Sequence, residues 1–163
     1  MKFKIFRYYF PMALFVSIVL IIVGFVFQEK LDWKLNITLV GSIISSIYFV
    51  EKQKLEQIVL FKELFTDFNK RYDGLNEKLN GILREDQHKE LTPEQIDTLY
   101  DYFNLCSEEY LFYKQGFIYP EVWKAWCNGM KIFIKNKRIR EVWRREVHTD
   151  SYYGLKFPEC KED

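Results

Sequence analysis

Two uncharged apolar runs lie close together near the N-terminus and constrain the chain more than any other feature. The first, Tyr8 to Phe27, has 20 residues without a charge. That matches the ~20 residues a helix needs to cross ~30 Å of hydrocarbon. Lys2, Lys4 and Arg7 precede it, as in a signal peptide, but the apolar core is long for one. Phe27-Gln28-Glu29-Lys30 also makes a poor cleavage site, so a retained span is expected. The second run, Leu35 to Val50, has 16 residues and reaches only about 24 Å at ~1.5 Å per residue. Asn36, Thr38, Ser42, Ser45 and Ser46 dilute its hydropathy. Snorkelling Lys34 and Lys52, with interfacial Trp33 and Tyr48, would complete a short span. The alternative is a core helix of the following domain, which would leave a single span and place that domain outside. Basic residues flank the pair on both outer sides, with only Lys30 and Lys34 between the runs. The positive-inside rule therefore places both termini in the cytoplasm. The expectation is a transmembrane hairpin over residues 1–50.

Small residues in these runs are patterned. Thr38, Gly41, Ser42 and Ser45 share one helical face, and Ala13, Ser17 and Gly24 share another. Such faces let helix backbones approach closely in lipid. They would pack the two spans together, or line an opening between protomers of a homo-oligomer.

Beyond the hairpin, Ile58, Phe61, Phe65, Phe68, Tyr72, Leu75, Leu79 and Ile82 follow spacings of 3, 4, 3, 4, 3, 4 and 3. This 3.5-residue repeat marks an apolar seam made for another helix. Neither Gly nor Pro interrupts the chain between Gly41 and Gly74, so an amphipathic stalk over 51–84 is expected to continue the second span. The bulk of its phenylalanines favours packing on the chain's own later helices over self-association.

A cytosolic helical domain is expected over 91–148. Thr92 as N-cap, Pro93 at the first helical position and Gln95 three residues after the cap form a capping box, with Leu91 and Ile96 as a hydrophobic staple. The seam continues through Leu99, Phe103, Cys106, Tyr110 and Tyr113 until Gly116 caps the helix. Pro120 opens the next helix, whose buried side carries Val122, Trp123, Trp126, Met130 and Phe133. A last helix around Ile139 to Val147 adds Val142 and Trp143, and an irregular tail fills 149–163. No alternating strand pattern occurs, so the chain is expected to be all-α.

Catalytic signatures are absent. There is no glycine-rich phosphate loop, no GxSxG and no HExxH, and His88 and His148 have no ligand-spaced neighbours. Glu108 with Glu109, and Asp97 with Asp101, read as solvated acidic pairs. Cys106, Cys127 and Cys160 form no CxxC pair and read as reduced thiols. No enzyme, cofactor, metal site or small-molecule substrate is expected; a tethered nuclease would need an acidic or histidine constellation that is missing. One cluster stands out. Between Lys131 and Arg145 there are seven basic residues (Lys131, Lys135, Lys137, Arg138, Arg140, Arg144 and Arg145) and one acid, Glu141, with Trp143 among them. Such a patch can hold nucleic-acid phosphates or a nucleoprotein partner, or anionic lipid headgroups. It can also be a solvated surface with no ligand.

The run YFNLCSEEYLFYKQGFIYPEVWKAW, Tyr102 to Trp126, preceded by the apolar hairpin, resembles the cytosolic module of small bacterial membrane proteins. The whole plan resembles the two-transmembrane effectors encoded beside reverse transcriptases in retron anti-phage systems. The resemblance covers most of the chain but rests on packing residues, and it supplies no catalytic residue. It implies an effector of the bacterial inner membrane, held silent by a reverse transcriptase and its RNA-linked DNA. Release during infection would perturb the membrane and kill the cell. A passive anchor recruiting a cytosolic or nucleoprotein complex is the alternative.

Overall fold

The computed structural model describes residues 15, 16, 18, 19, 22–24, 26 and 33–157, with side chains described from Ile37 onward in the second stretch. Helix α1 spans Trp33–Arg84, α2 Pro93–Lys114, α3 Pro120–Lys135 and α4 Lys137–Glu146, and a 3₁₀ turn follows over Val147–Thr149. Among the described residues there is no strand, and the all-α expectation is met. The chain divides into two compact units, Met1–Val59 and Leu60–Asp163.

In the first unit the expected hairpin is corrected. No helix among the described residues is long and apolar enough to cross a membrane. This overturns the expectation of a multi-pass membrane protein with both termini cytoplasmic. In the second apolar run, the 16 residues from Leu35 to Val50 lie between Lys34 and the charges of Glu51 and Lys52. They cover only about 24 Å of helix, short of ~30 Å. The Ser42 hydroxyl donates to Thr38 O and the Ser46 hydroxyl to Ser42 O, each at 2.8 Å. Ser42 thus spends its hydrogen on its own helix. Thr38, Gly41, Ser42 and Ser45, the expected packing or pore face, are all exposed. Most of the first expected span, including Ala13 and Ser17, and also Cys160, lies outside the described residues.

The second unit is built on the seam of α1 and three shorter helices. Phe68, Leu79 and Ile82 are buried, and Phe61, Leu64, Tyr72 and Leu75 pack against the same core. Their cover comes from later in the chain. Phe61 meets Tyr119 at 4.3 Å between ring centroids, Phe65 stacks on Trp126 at 6.0 Å, and Phe68 meets both Phe112 and Trp126 at 5.8 Å. The seam therefore packs within its own chain, and residues 60–84 belong to the same compact unit as the later helices rather than to a separate stalk.

Local chemistry sets the ends of α2. Gln95 N–H donates to Thr92 Oγ1 at 3.3 Å and Thr92 N–H donates to Gln95 Oε1 at 3.1 Å, closing the capping box. At the other end Gly116 takes φ +81°. Gly116 N–H donates to Tyr113 O and Phe117 N–H to Phe112 O, at 2.9 and 3.0 Å. These two bonds, with Phe117 against Phe112 at 6.1 Å, make a Schellman stop. Between α3 and α4 stands one residue, buried Asn136. Its side-chain oxygen accepts from Arg138 N–H and Ile139 N–H, so it caps α4 where α3 ends.

The described tail beyond Thr149 is irregular, as expected, yet two of its residues are buried. Asp150, Tyr153 and Gly154 adopt positive φ of 54°, 52° and 81° and turn the chain back. Tyr152 and Leu155 become core, and Trp143 meets Tyr152 at 4.9 Å and Phe157 at 4.6 Å. Aromatic area buried per residue is large, which suits a small domain.

Candidate functional site: a cationic cleft

The basic run divides once it is folded. Lys131 and Lys135 stand one turn apart on α3, and Arg140 and Arg144 one turn apart on α4. With Ile134, Trp143, Val147, Lys156 and Phe157 they line a cleft of ≈ 630 Å³. Among the described residues five cations line it and no acid does. Among the described residues no ion pair involves any of the five. The floor is apolar, and most of the Trp143 ring is taken up by Phe103, Tyr152 and Phe157. Trp143 is only 3% exposed, so it supports the floor rather than offering a free face for stacking. Phe157, half-buried at the cleft, is the more accessible ring.

The other three members of the run lie elsewhere. Arg138 does not belong to the surface patch: it is 6% exposed. Its guanidinium donates to Ile82 O near the end of α1, to Lys89 O at 3.2 Å, and to Glu85 Oε2 at 3.2 Å. Carbonyls in the last turn of a helix have no partner within it, and Arg138 supplies one. Hydrogen bonds from Gln95, Lys89 and Arg138 hold the Glu85 carboxyl at about 2, well below the ordinary range. Arg145 lines a separate surface hollow with His88 and Glu141. Exposed Lys137 sits 4.0 Å from Glu141. The two histidines are exposed, and among the described residues no group of three or more His, Cys, Asp and Glu could hold a metal ion.

The basic run does not include Lys156, which the left-handed turns after Thr149 bring to the same cleft as Lys131 and Arg144. A backbone that needs positive φ at Gly154 was the available signal for a tail that folds back.

The two acidic pairs separate as well. Glu108 receives a bidentate ion pair from Arg71, at 2.6 and 3.1 Å, while Glu109 is buried. Burial is the main cause that raises the Glu109 carboxyl to about 8, partly offset by the charge of Arg71 and reinforced by that of Glu108. Cys106 and Cys127 are buried and form no disulfide among the described residues.

No family model, curated protein or solved structure matches the chain. The fold and site themselves define its class: a small all-α domain carrying a cationic cleft with an apolar floor.

Proposed function

We propose that this chain is a non-catalytic binding module that holds the phosphate backbone of a nucleic acid in the cleft between α3, α4 and the tail. One observation carries the proposal: five cations converge on a single concave surface that no carboxylate among the described residues lines. An unscreened cationic groove gains affinity by displacing counterions from a polyanion. The apolar floor, with the edge of Phe157, suits an unpaired base beside the phosphate that the rim would hold. Arg140 and Arg144 would supply planar forks for phosphate, and Lys131, Lys135 and Lys156 would act as point charges. In the retron-type setting that the resemblance implies, the polyanion is the RNA-linked DNA of a reverse-transcriptase complex, and this chain is the effector which that complex holds. Insertion of helices through a membrane forms no part of this proposal, since no described helix is long and apolar enough to cross one.

The test is fluorescence anisotropy of a labelled single-stranded oligonucleotide titrated with the full chain across a salt series. Log affinity should fall against log salt with a slope of about −3.5 if all five cations contact phosphate, at ~0.7 per phosphate contacted. Arg144→Glu should weaken binding about tenfold or more, whereas Lys137→Glu, outside the cleft, should change it little. Equal losses for the two variants, or binding to anionic vesicles but not to the oligonucleotide, would exclude this function.

A further inference from the structure

A second cavity, of ≈ 170 Å³, lies apart from the cleft between α1, α2 and α3, and its lining includes Tyr72, Tyr102, Glu109, Trp126 and Gly129. Its chemistry is unlike that of the cleft. Glu109 is 5% exposed and its carboxylate receives no hydrogen bond among the described residues. Arg71 acts on it through charge alone, because its guanidinium fork is committed to the neighbouring Glu108. A buried carboxylate in that condition has no hydrogen-bonded counter-ion among the described residues. Around it stand three aromatic rings. Tyr72 and Tyr102 have centroids 6.5 Å apart at 51°, so the two faces are not stacked on each other. Trp126 comes from α3 and is held edge-on by Phe68 at 5.8 Å.

The space is left open by the sequence of α3. Ala125 and Gly129, one turn apart, form part of the lining, and a Cβ added at Gly129 would meet nothing within 4 Å. A water molecule's share of liquid volume is about 30 Å³, so the cavity has room for a group of about five heavy atoms.

We infer that this cavity is a binding site for a small organic cation, an alkylated ammonium group whose charge meets Glu109 and whose methyl groups lie against Tyr72, Tyr102 and Trp126. Electron-rich ring faces attract such cations, and the attraction grows where water is excluded. A single carboxylate supplies the opposite charge without competing for hydrogen bonds, which a fully alkylated ammonium cannot donate. A metal ion fits poorly, because the cavity gathers one carboxylate rather than the several oxygen ligands that hard cations require.

The experiment uses the full chain at pH 9, where Glu109, held at about 8, is ionised. Choline chloride is titrated against sodium chloride of equal ionic strength, and tryptophan fluorescence and methyl NMR line widths are followed. Choline should give a saturable change that sodium chloride does not. Its neutral isostere 3,3-dimethyl-1-butanol should bind at least tenfold more weakly. Glu109→Gln should lose the preference for choline over the isostere, and Gly129→Leu should abolish binding of both by filling the space. A response equal for choline and the isostere, or a choline response unchanged in the Glu109→Gln protein, overturns the site. Should the Glu109→Gln protein fail to fold, the isostere comparison and Gly129→Leu decide. No saturable choline response in the unaltered chain overturns the site outright.

Discussion

From Ile37 to Val59, α1 exposes most of its apolar side chains, with Leu39, Ile43, Ile47 and Val50 half-buried: Ile44 is 62% exposed, Leu55 64% and Ile58 52%. Beyond Leu60 the same kind of residue in the same helix is covered, with Phe68 at 2%, Leu79 at 0% and Ile82 at 1%. Local propensity does not separate the two stretches, since both are helical and both carry apolar residues at three- and four-residue spacing. What differs is supply. Rings from residues 102 to 126 reach Phe61, Phe65, Phe68 and Tyr72, and among the described residues nothing comparable covers Ile44 or Leu55. Helices in proteins are stabilised chiefly by packing of one face, so the covered stretch should carry most of the stability.

Leu79→Ala breaks that contrast most severely. A fully buried leucine truncated to alanine should cost about 4 kcal/mol, while Ile58→Ala should stay within about 0.5 kcal/mol. Urea titration of both variants reads the difference, and similar losses would mean that both stretches are equally covered.

Next in size is Glu109, which faces the covered stretch. Its carboxyl is raised from 4.5 to about 8 in the fold. The folded state therefore prefers the protonated form. Stability from this group is complete below pH 4.5, declines as pH rises toward 8 and is lost above it. At about 1.4 kcal/mol for each pH unit between the two values, the cost is on the order of 5 kcal/mol. Glu109→Gln should recover about 2–3 kcal/mol of this at pH 8.5, because the amide still lacks full hydrogen bonding. The gain should vanish near pH 4.5. Melting temperatures across that range check it, and a constant gain would assign the effect to packing instead of charge.

Arg138 joins the end of the covered stretch to α4. Arg138→Met should cost about 2 kcal/mol by stranding Ile82 O and Lys89 O, whereas Lys135→Ala, in the cleft, should leave stability unchanged. The smallest effect is Gly129→Ala, a gain of about 0.5–1 kcal/mol from helix propensity, since the added carbon meets nothing. A loss there would show that the wall of the cavity is tighter than the backbone implies.

Features written in a few neighbouring residues were legible. Thr92 with Gln95 and Gly116 with Phe117 are local bargains between side chain and backbone, and they form as the sequence foretells. The partner of the α1 seam was legible as a preference only, because bulky rings say that cover is needed and not where it comes from. Arg138 looked like its basic neighbours since a charge run has no depth. Its burial follows from its place just inside the Asn136 cap and beside Ile139, a fully buried residue. Glu109 was read as solvated alongside Glu108, although Tyr102, Cys106, Glu109 and Tyr113 fall at spacings of 4, 3 and 4, a helical face directed inward. The apolar run from Leu35 to Val50 misled by composition. Its hydrophobicity suggests a span, while its shortness and its hydroxyls leave it short of one.

Asn136 has a consequence that reaches past capping. Because a single uncharged amide is the whole corner between α3 and α4, it acts as the calliper for the two pairs of cations on either side. The gap those pairs present to a ligand is fixed by a residue that never touches it. Substitutions at this corner would retune which anions fit, leaving the number of charges untouched, and selectivity could drift there without altering any contact residue.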